Sequence, residues 1–169
     1  MQKIIVIGNA GSGKTTFSKA LAEKLNLPLV HLDKIFWCGK WHHISRESFD
    51  KILEEELQKD SWIIDGNYNR TLPCRLKECD TVFYFDLPTI SCLWGSTKRV
   101  IQNYGKTRDD MGGYCPEYFD KHKWELYLSI LKFNKQNRER YYKMLSEEKD
   151  KKIIIFKNKN DIRKFLKTL

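Results

Sequence analysis

Short apolar runs recur along the whole chain and indicate its strands. Residues 4–7, 62–64, 81–85 and 153–156 are rich in β-branched and aromatic side chains, and residues 29–32 form a similar run after a proline. Continuous apolar runs of this length are typical of strands that are buried on both faces of a parallel sheet. We therefore predict a five-stranded parallel sheet.

The segments between these runs have the spacing of amphipathic helices. Phe17, Leu21 and Leu25 recur at helical intervals after the first run, and Ser45 can cap a second helix that ends near residue 57. Further helices are predicted at residues 90–103, from Pro116 to about residue 146, and around residues 162–166. This alternation predicts an α/β fold of three layers, with helices on both faces of the sheet and ligands at the carboxyl ends of the strands.

The composition is that of a soluble globular protein, and 169 residues suit a single domain, residues 1–169. No apolar run approaches the roughly 20 residues that cross a bilayer, and the first residues lack the apolar segment of a signal peptide. We expect a cytoplasmic protein with no membrane partner. Its five cysteines form no C-x-x-C pair and are expected to be reduced thiols.

The net charge of +9 favours anionic ligands: nucleotides, other phosphorylated molecules or nucleic acids. Charge alone does not choose among these classes. No recognised nucleic-acid-binding module accompanies it, so DNA is an open alternative without a motif behind it. The sequence contains no indication of an oligomeric state.

A phosphate-binding motif follows the first strand and opens the first helix. The segment matches G-x-x-x-x-G-K-[ST] in full and consists of Gly8, Asn9, Ala10, Gly11, Ser12, Gly13, Lys14 and Thr15. Its backbone N–H groups can surround a polyphosphate, Lys14 can reach the β- and γ-phosphates, and the hydroxyl of Thr15 can coordinate Mg²⁺. We include the adjacent Thr16 in the predicted site. The motif predicts a P-loop NTPase fold that binds ATP with Mg²⁺.

Two classes of P-loop protein compete for this motif. Residues 158–161, Asn-Lys-Asn-Asp, fit the guanine-reading pattern N-K-x-D of switch GTPases. Only eight residues follow them, however, and no apolar strand runs into a D-x-x-G segment. We therefore favour a kinase that transfers phosphate to a small acceptor.

Carboxylates at two strand ends support the kinase hypothesis. Asp33 follows the second strand, where an acceptor would approach the γ-phosphate, and it could accept or orient the acceptor's proton. A helix cap or a surface turn is the alternative for this residue. Asp65 ends the strand at residues 62–64, at the usual place for a carboxylate that holds Mg²⁺ directly or through water, beside the substrate.

Three arginines could neutralise charge in the transition state. Arg70 follows Asp65 closely and is predicted to bind the acceptor, whereas Arg99 and Arg108 are predicted to be catalytic. Arg108 lies in residues 104–115, an aperiodic segment that we call the lid loop. Trp37 is expected to line the acceptor pocket together with Trp41 and His42, although packing against a neighbouring helix would explain these side chains equally well.

Several of these sequence segments resemble segments of known protein families. Asp65-Gly66 with Arg70-Thr71 and the strand at residues 80–88 are similar to segments of adenylate kinases, which implies an adenylate-kinase-like P-loop kinase. The longer spacing between Gly66 and Arg70, the missing proline and the short lid loop depart from that pattern, so the resemblance does not identify AMP as the acceptor.

A closer resemblance covers nearly the whole chain. The phrases at residues 32–37, 62–68 and 115–120 resemble bacterial DNA topology modulation proteins of the FlaR-related group. That resemblance implies the fold and an ATP site. It also implies an alternative function, a non-catalytic nucleotide-dependent regulator that binds DNA.

Overall fold

The computed structural model describes residues 1–169, and the chain alternates strands and helices along nearly its whole length. The strands are β1 (Lys3–Gly8), β2 (Leu29–His31), β3 (Trp37–Gly39), β4 (His42–His43), β5 (Trp62–Asp65), β6 (Thr81–Phe85) and β7 (Lys152–Phe156). The helices are α1 (Lys14–Leu25), α2 (Leu32–Phe36), α3 (Arg46–Leu57), α4 (Leu72–Glu78), α5 (Thr89–Gln102), α6 (Lys121–Glu147) and α7 (Lys159–Thr168).

Five of the strands form one parallel sheet in the order β2-β5-β1-β6-β7. The phosphate-binding strand β1 is therefore central, and β5, which ends in Asp65, lies directly beside it with Val6 opposite Asp65. Strands β3 and β4 form a separate antiparallel hairpin. The predicted α/β fold with a five-stranded parallel sheet is confirmed.

Strand geometry explains why both faces of the sheet are apolar. Successive side chains of β1 point to opposite faces, so Ile5 and Ile7 join one core while Ile4 and Val6 join the other. All four are fully buried. The helices thus cover the sheet from both sides, and only the strand ends remain open for polar chemistry.

The long helix begins later than the sequence pattern predicts. We expect α6 to start at Pro116, but it starts at Lys121, because Asp120 caps it by accepting a hydrogen bond from the Lys123 amide at 3.0 Å. Pro116 instead pairs with Thr107 in an isolated antiparallel bridge. None of the seven helices has the length and apolar character that crossing a bilayer requires.

Candidate functional site

The strand ends open into a cleft of about 970 Å³. Its walls come from the phosphate-binding loop, the segments after β2 and β5, helix α5, the lid loop and the start of α6. The cleft brings together most of the residues that the sequence nominates for chemistry, which are Ala10, Gly11, Gly13, Lys14, Thr15, Thr16, Asp33, Trp37, Asp65, Arg99 and Arg108. Arg70 is not among its lining residues.

The phosphate-binding loop is held in shape by contacts on its outer side. The Gly8 amide donates to Asn67 Oδ1 at 2.8 Å, and Asn9 Nδ2 donates to the carbonyl oxygen of Ile130 in α6 at 3.0 Å. The Ser12 side chain is buried and has no hydrogen-bond partner. Gly8 and Asn9 therefore anchor the loop outside the cleft, Ser12 also lies outside the cleft lining, and the other motif residues line the cleft.

Helix α5 packs directly against the loop backbone. A Cβ atom added to Gly95 would lie 2.0 Å from the carbonyl oxygen of Gly11, and one added to Gly11 would lie 2.1 Å from the carbonyl oxygen of Cys92. No side chain fits at either position. The loop conformation thus depends on a glycine outside the motif, which no sequence pattern indicates.

The Lys14 side chain is held against the loop, in a position suited to binding an anion. Its ammonium donates to the carbonyl oxygen of Asn9 at 2.9 Å, and burial lowers its pKa. The nearby carboxylates of Asp65 and Asp33 act in the opposite direction by favouring the charged form.

Two oxygen ligands suited to Mg²⁺ meet at the end of β5. The Thr15 hydroxyl donates to Asp65 Oδ2 at 2.9 Å, and His31 Nδ1 lies 3.2 Å from the same oxygen. Asp65 Oδ1 is buried without any partner, which is costly unless a cation or a water fills the place. No cluster of three or more acidic, histidine or cysteine side chains forms a cage of protein ligands. Mg²⁺ usually takes one or two carboxylates plus phosphate oxygens and water, so Thr15 and Asp65 fit this ion.

Asp33 lines the same cleft as the loop and lies in the first turn of α2. Its Oδ1 accepts a hydrogen bond from the Tyr68 hydroxyl at 2.8 Å. Burial raises the pKa of Asp33, while the Tyr68 hydrogen bond and the charges of Arg108 and Lys14 lower it in part. A carboxylate whose pKa is raised by burial is suited to accept a proton near neutral pH.

A buried carboxylate gathers the basic side chains of the cleft. Glu117 is fully buried, and its Oε1 lies 3.2 Å from Arg99 Nε and 3.1 Å from Arg108 Nε. Its other oxygen accepts a hydrogen bond from Lys123 Nζ. Burial alone would raise the pKa of Glu117, but these three cations hold it below its ordinary value.

Glu117 thus joins α5, the lid loop and α6 at one point. Arg108 also donates to Asp110 Oδ2 at 2.8 Å, so its guanidinium is bound on two sides. Glu117 was not predicted from the sequence because its three cationic partners lie on three separate elements that only the fold brings together. Its only signal there is its place in the phrase at residues 115–120.

The hairpin β3–β4 forms the aromatic side of the cleft. Trp37 and Trp41 line the cleft, and the Trp41 ring stacks against His122 of α6 with ring centroids 5.9 Å apart. His42 is exposed and does not line the cleft.

The lid loop packs tightly on this hairpin. Lys40 N donates to the carbonyl oxygen of Tyr114 at 2.6 Å. A Cβ atom on Gly112 would lie 1.8 Å from the carbonyl oxygen of Trp37, and one on Gly113 would lie 2.6 Å from the carbonyl carbon of Cys38. The two backbones are therefore in direct contact.

The geometry does not support the predicted role of Arg70. Its guanidinium forms a bidentate salt bridge with the carboxylate of Asp50 in α3, with Nη1–Oδ2 at 2.7 Å and Nη2–Oδ1 at 2.6 Å. Half of the Arg70 side chain is exposed. The chain turns at Tyr68, whose φ is 34°, before it enters α4. This turn directs Arg70 away from the cleft and towards α3.

Comparisons with known proteins agree with this architecture. No family model matches the sequence. A curated shikimate kinase from Azobacteroides pseudotrichonymphae genomovar. CFP2 is 37% identical over 85 residues, which are 44% of this chain and 49% of that protein. The chain thus matches about half the length of this relative.

Two solved structures superpose on almost the whole chain. Shikimate kinase from Acinetobacter baumannii in complex with shikimate has a TM-score of 0.58 at 17% identity, with 99% of this chain and 90% of that chain covered. Shikimate kinase from Bacteroides thetaiotaomicron has a TM-score of 0.56 at 17% identity, with 98% and 94% covered. The chain has the P-loop fold of the shikimate kinases. None of these three proteins is named as a topology modulation protein.

Proposed function

We propose that this chain is an ATP-dependent phosphotransferase that transfers the γ-phosphoryl group of ATP to a hydroxyl of a small acceptor. Shikimate is the first acceptor to test, because the curated relative is named as a shikimate kinase and one structural neighbour is described in complex with shikimate. The observation that carries the proposal is that Asp33 lines the same cleft as Lys14, Thr15 and Asp65. A phosphate-binding loop and a candidate base then face one chamber.

The phosphate side of the mechanism rests on the loop and on α1. Loop amides and Lys14 would hold the β- and γ-phosphates, and Thr15 with Asp65 would hold Mg²⁺. The ion, when bound, supplies neutralisation of the charge that develops on the phosphate oxygens. Because Lys14 is half-buried in the cleft wall, water screens its attraction to phosphate less than at an open surface.

The acceptor side rests on Asp33 and on the two arginines around Glu117. Asp33 would accept the proton of the attacking hydroxyl, and the hydrogen bond from Tyr68 would fix the direction of its carboxylate. Arg99 and Arg108 would neutralise charge on the transferred group. Trp37 and Trp41 would enclose the acceptor and exclude water, which suppresses the transfer of phosphate to water.

Steady-state turnover of ATP tests this proposal. We would measure Mg²⁺-dependent formation of ADP with shikimate, with nucleosides, with nucleoside monophosphates and with other small hydroxylated metabolites. Acceptor-dependent turnover is expected to disappear in Lys14→Ala and to persist in Lys24→Ala, a matched control because Lys24 is exposed near the end of the same helix. If no acceptor in the panel raises ADP formation above the rate without acceptor, the proposed transfer is wrong.

The resemblance to DNA topology modulation proteins adds a binding experiment. The charge of +9 would attract duplex DNA, and binding through several phosphates weakens by orders of magnitude between about 50 and 200 mM salt. DNA binding at the lower salt concentration, without any acceptor-dependent turnover, would favour the nucleotide-dependent regulator over the kinase.

A further inference from the structure

Helix α4 buries an arginine that has no acidic partner. Arg75 is 0% exposed, and its guanidinium donates only to backbone oxygens: to Gly66 at 2.9 Å, to Tyr68 at 3.2 Å and to Asn67. Buried charges in proteins are usually paired with an opposite charge. Burial lowers the pKa of Arg75 to about 10, which still leaves the group protonated at neutral pH. An unpaired buried charge is costly, so we expect the segment that Arg75 contacts, residues 66–68, to depend on it for its conformation.

The three residues that Arg75 holds connect the two halves of the cleft. Asn67 accepts a hydrogen bond from the amide of Gly8, the first residue of the phosphate-binding loop, at 2.8 Å. Tyr68 donates its hydroxyl hydrogen bond to Asp33 at 2.8 Å. The same short segment therefore contacts the ATP side and the acceptor side of the site.

This segment has a backbone conformation that requires outside support. Tyr68 has a φ of 34°, in the left-handed region that a bulky residue rarely adopts. Gly66 has a φ of 141°, and a Cβ atom there would lie 2.9 Å from Leu32 Cβ. Three successive carbonyl groups that converge on one point also repel one another, and a guanidinium is the side chain whose planar set of donors can satisfy all three.

We propose that Arg75 is a positioning residue for phosphoryl transfer: it fixes the segment from Gly66 to Tyr68, so that Tyr68 orients Asp33 and Asn67 holds the start of the phosphate-binding loop. This inference rests on the proposed function, because it assigns Asp33 the role of base. Arg75 itself contacts neither ATP nor acceptor and acts through these neighbours.

The test begins with Arg75→Lys, which keeps the charge but replaces the rigid fork of Nη1 and Nη2, shared by the three carbonyl oxygens, with a single nitrogen. Its control is Arg163→Lys, because Arg163 is exposed on α7. We expect kcat to fall at least tenfold in Arg75→Lys and to remain unchanged in the control. Tyr68→Phe should reduce kcat in the same way. The double variant should be no worse than the more severe single variant, since both changes remove the same constraint.

The pH profile separates positioning from general destabilisation. The Tyr68 hydrogen bond lowers the pKa of Asp33, so its loss should move the acid limb of kcat/KM to higher pH in both single variants. The other charged groups that act on Asp33 are Lys14, Arg108 and Asp65, and none of them is altered. An unmoved acid limb in Arg75→Lys, or strictly additive losses in the double variant, would overturn the inference.

A titration of Asp33 that needs no turnover keeps this test independent of the proposed reaction. Carbon-13 NMR of the Asp33 carboxyl group in wild type, Tyr68→Phe and Arg75→Lys should give a higher pKa in both variants. If the protein transfers no phosphate but the pKa still rises, the proposed function fails while the positioning role stands. An unchanged pKa in Arg75→Lys refutes the role in either case. If the lysine variant does not fold, Arg75→Gln replaces it, because its amide still donates to part of the carbonyl cluster.

Discussion

Gly95 is the position at which the packing of α5 on the phosphate-binding loop can be tested most directly. A Cβ atom there would lie 2.0 Å from the carbonyl oxygen of Gly11, whereas carbon and oxygen atoms approach to about 3.3 Å at the closest. Gly95→Ala must therefore displace the loop or the helix by roughly 1.3 Å. Alanine is itself the better helix former, by about 1 kcal/mol, so a weakened helix is not the cause of any loss.

The displacement sets the size of the expected effect. Hydrogen bonds tolerate only about 0.5 Å of variation in length, so a loop that moves by roughly 1.3 Å loses at least one bond from its amides to phosphate. A hydrogen bond to a charged group contributes about 2 kcal/mol, which corresponds to roughly 30-fold weaker binding of ATP.

Calorimetric titration with ATP measures this directly and needs no acceptor. Ile90→Ala is the matched control, because Ile90 is 74% exposed on the same helix and should leave the Kd unchanged. An equal Kd for wild type and Gly95→Ala would refute the reasoning, since it would mean that the loop binds phosphate without the conformation that Gly95 permits.

Three other substitutions test the remaining parts of the site. Arg70→Ala should leave kcat/KM unchanged, because its pair with Asp50 is exposed and outside the cleft; a marked loss of activity would contradict this placement. Glu117→Gln should lower the free energy of unfolding in urea by about 3 kcal/mol, because three clustered cations lose their buried counter-charge; an unchanged midpoint would contradict it. Asp33→Asn should lower kcat by roughly 100-fold or more. Burial raises the pKa of Asp33, so its ionisation destabilises the folded state, and the asparagine variant should gain stability relative to wild type as pH rises above the ordinary aspartate pKa of about 4. Urea unfolding of both proteins as a function of pH checks this, and a difference that does not vary with pH would contradict it.

The strands and the phosphate-binding loop were predictable because their signals are local. The apolar run before Gly8 and the motif that follows it lie within a dozen consecutive residues, and the structure has β1, the loop and α1 at those positions. The cap of α3 is equally local, since Ser45 accepts a hydrogen bond from the Ser48 amide.

Local chemistry also explains the pattern that resembled a guanine-reading motif. Asn158 caps α7 by accepting hydrogen bonds from the amides of Asn160 and Asp161, both at 3.0 Å. Its side-chain amide donates to the Asp161 carboxylate at 2.8 Å. Helix capping is therefore sufficient to account for the residue types at these positions.

The rest of the site depends on contacts between distant segments. Arg70 is near Asp65 in sequence, but the left-handed turn at Tyr68 and the carboxylate of Asp50 decide where it points. Glu117 and Gly95 matter only because of what packs against them from other elements. A pattern along one chain does not contain these distances, so both residues were missed.

The contact between Gly112, Gly113 and the β3–β4 hairpin has a consequence for the order of events in a reaction cycle. Because the two backbones touch with no room for a side chain, the aromatic wall and the segment that carries Arg108 would have to move as one body. If Arg108 contacts the phosphate as proposed, opening the chamber to admit an acceptor would withdraw Arg108 from the phosphate at the same moment. A bound ATP would be least reactive while water has access to it, and fully activated only after the acceptor is enclosed.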